Sequence, residues 1–224
     1  MAKKELSSPF ASGGAGTLFE YRVAAIVFGH LLSQTLTRGL QVPVMEVGLQ
    51  QRVRGHLLDD VVVYAEGRTP YTEFQVKRTL KVKASDSQFV DVLEQALHVL
   101  AEKEDLVASG KLALGVVARE NAAMNELEEL AEWAQGHAKH DTFFEMFVPK
   151  VVDEKYRTRL QHVEGAVAAA IARGVPDLGG AKRATHTFLA ALHVWRRRSR
   201  ITAWTSSPSS TVFSQLLSSM RPPP

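Results

Sequence analysis

The stretches Leu57-Leu-Asp-Asp-Val-Val-Val-Tyr64 and Tyr71-Thr-Glu-Phe-Gln-Val-Lys-Arg78 read as two neighbouring β-strands joined by a turn at Glu66-Gly-Arg-Thr-Pro70. Val61, Val62, Val63 and Tyr64 are β-branched or aromatic, while Gly67 and Pro70 interrupt the run between the strands. Side chains alternate along a strand, so Glu73, Gln75 and Lys77 share one face and Phe74 and Val76 the other. Asp59 and Asp60 stand where the first strand begins and point to opposite faces. An acid at one strand end, beside an acid or amide and a lysine spaced i, i+2 on the neighbour, suits phosphodiester cleavage with a divalent cation. Carboxylate and carbonyl oxygens hold a hard cation, and the lysine steadies an attacking water or the charge that develops on the phosphorane. A solvated strand pair with ordinary surface polar residues is the plainer account of the same pattern.

Upstream, Gly13-Gly-Ala-Gly16 opens a helix expected from about Thr17 to Thr37, with Leu18, Tyr21, Ala25, Phe28, Leu32 and Leu36 at three- and four-residue intervals as its buried face. The glycines are not a phosphate loop, because no Lys-Ser/Thr follows them. Residues 42–55 suggest an extended strand that turns at Gly55 to pair with the Asp60 strand. Glu46 within it is an acid of the cleft or of the surface. Downstream, Arg78-Thr-Leu-Lys-Val-Lys83 is a basic segment beside the proposed site. Ser85-Asp-Ser-Gln then caps a helix whose apolar face is Phe89, Leu93, Ala96, Leu97 and Leu100. Lys111-Leu-Ala-Leu-Gly-Val-Val-Ala118 reads as a buried strand. The order is helix, three strands, helix, strand.

This order resembles the core of the PD-(D/E)xK nuclease superfamily, in the variant carrying Gln-x-Lys that Mrr-like restriction endonucleases have. The window Gly13-Gly-Ala-Gly, Phe19-Glu-Tyr-Arg, Asp59-Asp-Val-Val-Val, Phe74-Gln-Val-Lys-Arg is similar to the double-stranded-DNA endonuclease domain of CD-NTase-associated antiphage effectors, over roughly residues 10 to 120. The resemblance implies an α/β restriction-endonuclease-like core, a central mixed sheet flanked by helices, followed by a helical C-terminal module. It implies Asp60, Gln75 and Lys77 as the catalytic centre, Mg²⁺ or Mn²⁺ as cofactor, duplex DNA as substrate and bacterial antiphage defence as setting. Asp60 is chosen over Asp59 because the family's acid directly precedes the apolar strand. Glu20 becomes the candidate third acid, although an acid in a first helical turn is also what the helix dipole favours. Gln75 departs from the glutamate of many members; its amide oxygen ligates a cation but brings no charge, so Glu20 or Glu73 has to supply some of it. Family members couple the nuclease to a sensor or ATPase, and no such motif is present here. A sensor or ATPase partner, a homo-oligomer, or a place as one piece of a larger effector is therefore expected. A fold of this kind that binds nucleic acid, or assembles, without catalysing is the alternative.

Beyond residue 120 the pattern is helical. Helices are expected over 121–135, over 153–173 and after Gly179-Gly180, the last with Phe188, Leu189, Leu192 and Trp195 on one side and Arg196-Arg-Arg-Ser-Arg200 at its end. Residues 143–152 are a strand or a connector. Arg196, Arg197 and Arg198 are candidates for nucleic-acid phosphates together with Arg78, Lys81 and Lys83, or are favourable charges at a helix C-terminus. His137 and His140 have metal-pair spacing but no further ligand, which favours a solvated face. The expected organisation is a flexible arm (1–12), the endonuclease-like core (13–120), a helical module packed on it (121–204) and a disordered tail (205–224). With 27 basic and 24 acidic residues the net charge is +3, which permits a polyanionic partner without requiring one. The absence of cysteine excludes disulfides, thiol catalysis and Cys-based zinc sites. No apolar run is long enough to span a membrane and no signal peptide is evident, so a cytoplasmic protein is expected.

Overall fold

A computed structural model describes residues 14–197, with side chains from residue 16 onward. The expected arm at 1–12, Arg198 and the expected tail at 205–224 lie outside the described residues. At the centre is a five-stranded mixed sheet in the order β1-β2-β3-β4-β5. The strands are β1 (Glu46–Leu49), β2 (Val61–Tyr64), β3 (Tyr71–Val76), β4 (Leu112–Arg119) and β5 (Leu192–Arg197). The first three form an antiparallel meander, in which Val61 faces Phe74 and Tyr64 faces Tyr71. β4 joins β3 in parallel, and β5 joins β4 in parallel. All four residues of β2 are buried, as a run of β-branched residues covered on both faces should be.

Both parallel connections advance the same way along the sheet. A right-handed crossover then puts both sets of helices on one face. The helices α2 (Ser87–Glu102), α4 (Ala122–Gln135), α6 (Glu154–Ala172) and α7 (Ala181–Ala191) accordingly share a core with Leu112, Leu114, Val116, Leu192 and Val194. The second face is covered by α1 (Gly14–Ser33), whose Phe19, Val23 and Val27 pack on Val61, Val63, Phe74, Val76 and Val117. Asp86 caps α2 by accepting from the Phe89 N–H at 2.9 Å, and every residue of the expected apolar face of that helix is buried. No helix among the described residues is long and apolar enough to cross a membrane.

Three expectations need correction. The face expected to be buried on the first helix is the outer one: Leu18, Tyr21, Phe28, Leu32 and Leu36 are exposed. Apolar residues occur all round this helix, so spacing alone cannot choose a face. The last helix ends at Ala191. Leu192-His-Val-Trp-Arg-Arg197 is strand β5, paired with β4 from Leu114↔Leu192 to Arg119↔Arg197, so the segment expected to be wholly helical contributes a strand to the central sheet. The expected extended segment 42–55 is a strand only over Glu46–Leu49; a 3-10 turn at Gln51–Arg54 follows and ends at Gly55 with φ 84°. Residues 140–145 form a short helix, α5 (His140–Glu145), with Phe143 buried.

Candidate active site

Asp60 immediately precedes β2 and faces Gln75 of β3 in the continuing register. Asp60 Oδ2 accepts hydrogen bonds from Gln75 Nε2 at 2.5 Å and from the Val76 N–H at 2.8 Å. Asp60 Oδ1 meets only a long contact from Gln50 Nε2 at 3.5 Å. The other end of the Gln75 amide, Oε1, is buried and has no hydrogen-bond partner. The amide thus holds Asp60 with its nitrogen and presents its oxygen alongside. A glutamate at position 75 would instead set two like charges in contact. Here the amide substitutes for a carboxylate without that repulsion.

Glu20 approaches from the first turns of α1. Burial raises its pKa above the ordinary carboxylate value and the nearby Asp60 raises it further, while Lys77 lowers it. Asp60 is likewise raised, first by burial, against the opposing Val76 hydrogen bond and the Lys77 charge. Two carboxylates that each resist ionisation are thereby gathered with one ammonium at the end of β3, where Lys77 donates its N–H to the Val117 carbonyl. Asp59 lies 3.9 Å from Arg52, and its charge still contributes to raising both Glu20 and Asp60. Among the described residues no three His, Cys, Asp or Glu side chains form a metal-holding group. The donor set at Asp60 is two carboxylates and an amide.

Glu73 belongs to a different cluster. Its side chain is fully buried, with Lys103 Nζ at 2.8 Å and His56 Nδ1 at 2.9 Å on one oxygen and the Leu58 N–H at 3.4 Å on the other. His56 Nε2 in turn lies 3.0 Å from the Tyr64 hydroxyl. Nothing in the loop around His56 or the end of α2 announces this cluster in sequence. Glu46 is a surface acid, paired with Arg68 at 2.5 Å.

Of the basic candidates, Arg78, Lys81 and Lys83 are exposed on the loop after the site, anchored by buried Leu80 and Val82 between them. Arg196 is not available to phosphate: it is bound to the buried carboxylate of Glu128 and, at 2.8 Å, to Asn125 Oδ1 of α4. Arg197, one residue on, emerges on the opposite face of β5. His137 Nδ1 contacts the Trp133 carbonyl at 2.7 Å and His140 contacts Asp141 at 3.0 Å, so the two histidines do not act as a pair. The residue that sequence reasoning missed is Arg119, which closes β4 next to the site. Its signal was its position at the end of a strand parallel to the one that ends in Lys77-Arg78. Comparison of the chain with protein-family models, curated proteins and solved structures returns no match.

Proposed function

We propose that the chain is a metal-dependent endonuclease that hydrolyses phosphodiester bonds of double-stranded DNA, in the setting of antiphage defence that its sequence resemblance implies. One observation carries the reading. Gln75 is bonded to Asp60, Asp60 and Lys77 are close enough to shift Glu20, and the buried Gln75 Oε1 has no hydrogen-bond partner, all at one end of the sheet and from three separate segments. The helix–three strands–helix–strand order, with an antiparallel meander and a parallel fourth strand, supports it.

The residues present fit a divalent cation. Asp60 Oδ1, Gln75 Oε1 and the Glu20 carboxylate are hard oxygen donors with little else to satisfy them. Bound there, Mg²⁺ or Mn²⁺ supplies Lewis-acid stabilisation of charge on the phosphoryl oxygens. Asp60 is held in place by the Val76 N–H and the Gln75 amide, which fixes its free oxygen toward the site. The Lys77 ammonium orients a water for attack on phosphorus and stabilises the charge that develops there. Water oxygen bonds to phosphorus and gives its proton to solvent, while the ester bond to the sugar oxygen breaks and that oxygen takes up a proton from solvent to leave as a hydroxyl. Arg78, Lys81 and Lys83 draw in the backbone and fix its position without reading sequence.

Supercoiled plasmid incubated with the chain and Mg²⁺ or Mn²⁺ should be nicked and linearised. Asp60→Ala and Lys77→Ala should each lower the rate by about 10²–10³, the scale of losing one group that stabilises transition-state charge. Cleavage that survives in both variants would refute the assignment. The neutral amide at Gln75 favours a second reading, a binding module without catalysis, under which the wild type shifts DNA in chelator and never cuts it.

A further inference from the structure

Three adjacent strands end on arginine. Arg78 follows β3, Arg119 closes β4 and Arg197 closes β5, with Arg119 and Arg197 directly in register and the Arg119 N–H 3.4 Å from the Arg78 carbonyl. Neighbouring strands lie about 4.8 Å apart, so the three positions form a row about 10 Å wide. Two residues earlier in each strand stand Val76, Val117 and Trp195, which all pack in the α1-side core. Alternation therefore brings the three arginines out on the α1 face, the side from which Glu20 approaches, at the same sheet end as Asp60, Gln75 and Lys77 but alternating to the other face from Gln75 and Lys77. Arg196, out of phase by one, points into the helical layer, as its contact with Glu128 confirms.

Of the other half-buried arginines, Arg159 pairs with Glu126 and Arg196 with Glu128, while Arg157 donates to the Val152 carbonyl at 3.2 Å. Even the more exposed Arg38, Arg68 and Arg173 have carboxylate partners. Among the described residues, Arg119 and Arg197 have none, although both are partly buried. Burial depresses the Arg197 pKa. A partly buried cation without a counter-charge is unfavourable, and a fold that keeps two of them side by side at a candidate site is set up for an anion from outside.

We infer that Arg119 and Arg197, continuing from Arg78, form a phosphate-binding ledge that grips the sugar-phosphate backbone of duplex DNA on the β5 side of the Asp60–Gln75–Lys77 centre. The inference rests on the reading of that centre as one that acts on nucleic acid. The duplex backbone then crosses the strand ends from β3 to β5 on the α1 side, and the adjacent Arg196 and Arg197 do not act as a unit.

The test is anisotropy of a labelled 20-base-pair duplex with the full chain in EDTA, from 50 to 200 mM KCl. Two lost phosphate contacts should lower the slope of log K against log salt by about 1.8 in the double variant Arg119→Gln/Arg197→Gln. Arg173→Gln, on the helical face, should leave the slope unchanged. The double variant should keep or raise its melting temperature, whereas Arg196→Gln, which leaves the buried Glu128 with Arg38 as its one remaining ion-pair partner among the described residues, should lower it without moving the slope. Plasmid cleavage by the double variant should be weak at 150 mM KCl and recover at 25 mM or at high DNA concentration, a recovery that Lys77→Ala should not show. A wild-type slope and affinity in the double variant would overturn the ledge and leave the nuclease reading to the Asp60 and Lys77 variants. A wild type that fails to bind duplex at 50 mM KCl would overturn the ledge as well.

Discussion

Replacing Lys103 by Met isolates what the Glu73 cluster does. The Glu73 side chain is fully buried, and Lys103 Nζ, 20% exposed, is 2.8 Å from its carboxylate. At an effective dielectric constant of about 20, unit charges at that separation attract by about 6 kcal/mol. Burying the two ions offsets much of this in the intact pair, but removing one partner leaves the other's desolvation uncompensated, at about 3–5 kcal/mol. His56 remains in contact with the Glu73 carboxylate at 2.9 Å and keeps the loss toward the lower end. At about 2–4 °C per kcal/mol for a chain of this size, Lys103→Met should melt about 6–20 °C lower than wild type. Urea unfolding followed by circular dichroism at pH 7 gives the free energy directly. The double variant Glu73→Leu/Lys103→Met should be more stable than Lys103→Met, because no charge is left buried alone. Glu73→Gln should keep plasmid cleavage per folded molecule within about twofold, since uniform local packing changes seldom alter chemistry at a separate site. A loss under 1 kcal/mol in Lys103→Met would refute the argument from burial. Abolished cleavage in a folded Glu73→Gln would refute the separation of Glu73 from the proposed Asp60–Gln75–Lys77 centre.

Two further outcomes follow from the geometry. A Cβ at Gly115 would lie 2.1 Å from Cδ1 of the buried Phe74, so Gly115→Ala should cost about 1–3 kcal/mol in urea unfolding and reduce cleavage through displacement of the adjoining Gln75; unchanged stability would show that the sheet yields at no cost. Burial raises the Asp60 pKa above its ordinary value of 3.8, so its carboxylate opposes folding once ionised: the neutral form's stability is present below that ordinary value and is lost as pH rises through the raised folded-state pKa. Metal-free Asp60→Asn should therefore melt at or above wild type at pH 7, with the difference growing as pH rises from about 4, while a saturating divalent cation should raise the melting temperature of the wild type alone. A metal-free Asp60→Asn that melts below wild type at pH 7 would contradict this sign.

The β2–β3 hairpin and the proximity of Asp60 to Gln75 were legible because their signals are local. Val61–Tyr64 and Tyr71–Val76 alternate or run apolar over a short span, and the turn at Gly67 has the positive φ that glycine supplies. Asp60, Gln75 and Lys77 are brought together by the register of one hairpin, which a sequence exposes directly. Helix α2 was legible because Asp86 caps it and its apolar stripe is one-sided. Helix α1 misled because Leu18 and Phe19, Val27 and Phe28 are equally apolar, and only the sheet beneath decides which is buried. β5 was hidden because Phe188, Leu189 and Leu192 keep helical spacing across a helix end; what ends the helix is pairing with β4, a partner far away in sequence. The Glu73–Lys103–His56 cluster and the pairing of Arg196 with Glu128 depend on contacts of the same long-range kind. For the same reason the arginine run that reads as one basic patch divides between the two faces of a strand.

The late arrival of β5 has a consequence for biosynthesis. Its first registered residue, Leu192, pairs with Leu114, so 78 residues separate the two halves of that ladder. At ribosomal rates of about 5–20 residues per second, roughly 4–16 s pass between the synthesis of one and of the other. During that interval the meander and β4 can assemble, yet the outer edge of β4, with Val116 and Val117, stands open as a template for any other extended chain. The nascent protein is thus most exposed to mispairing midway through translation, and a ribosome stalled between residues 120 and 190 would hold it in that aggregation-prone state.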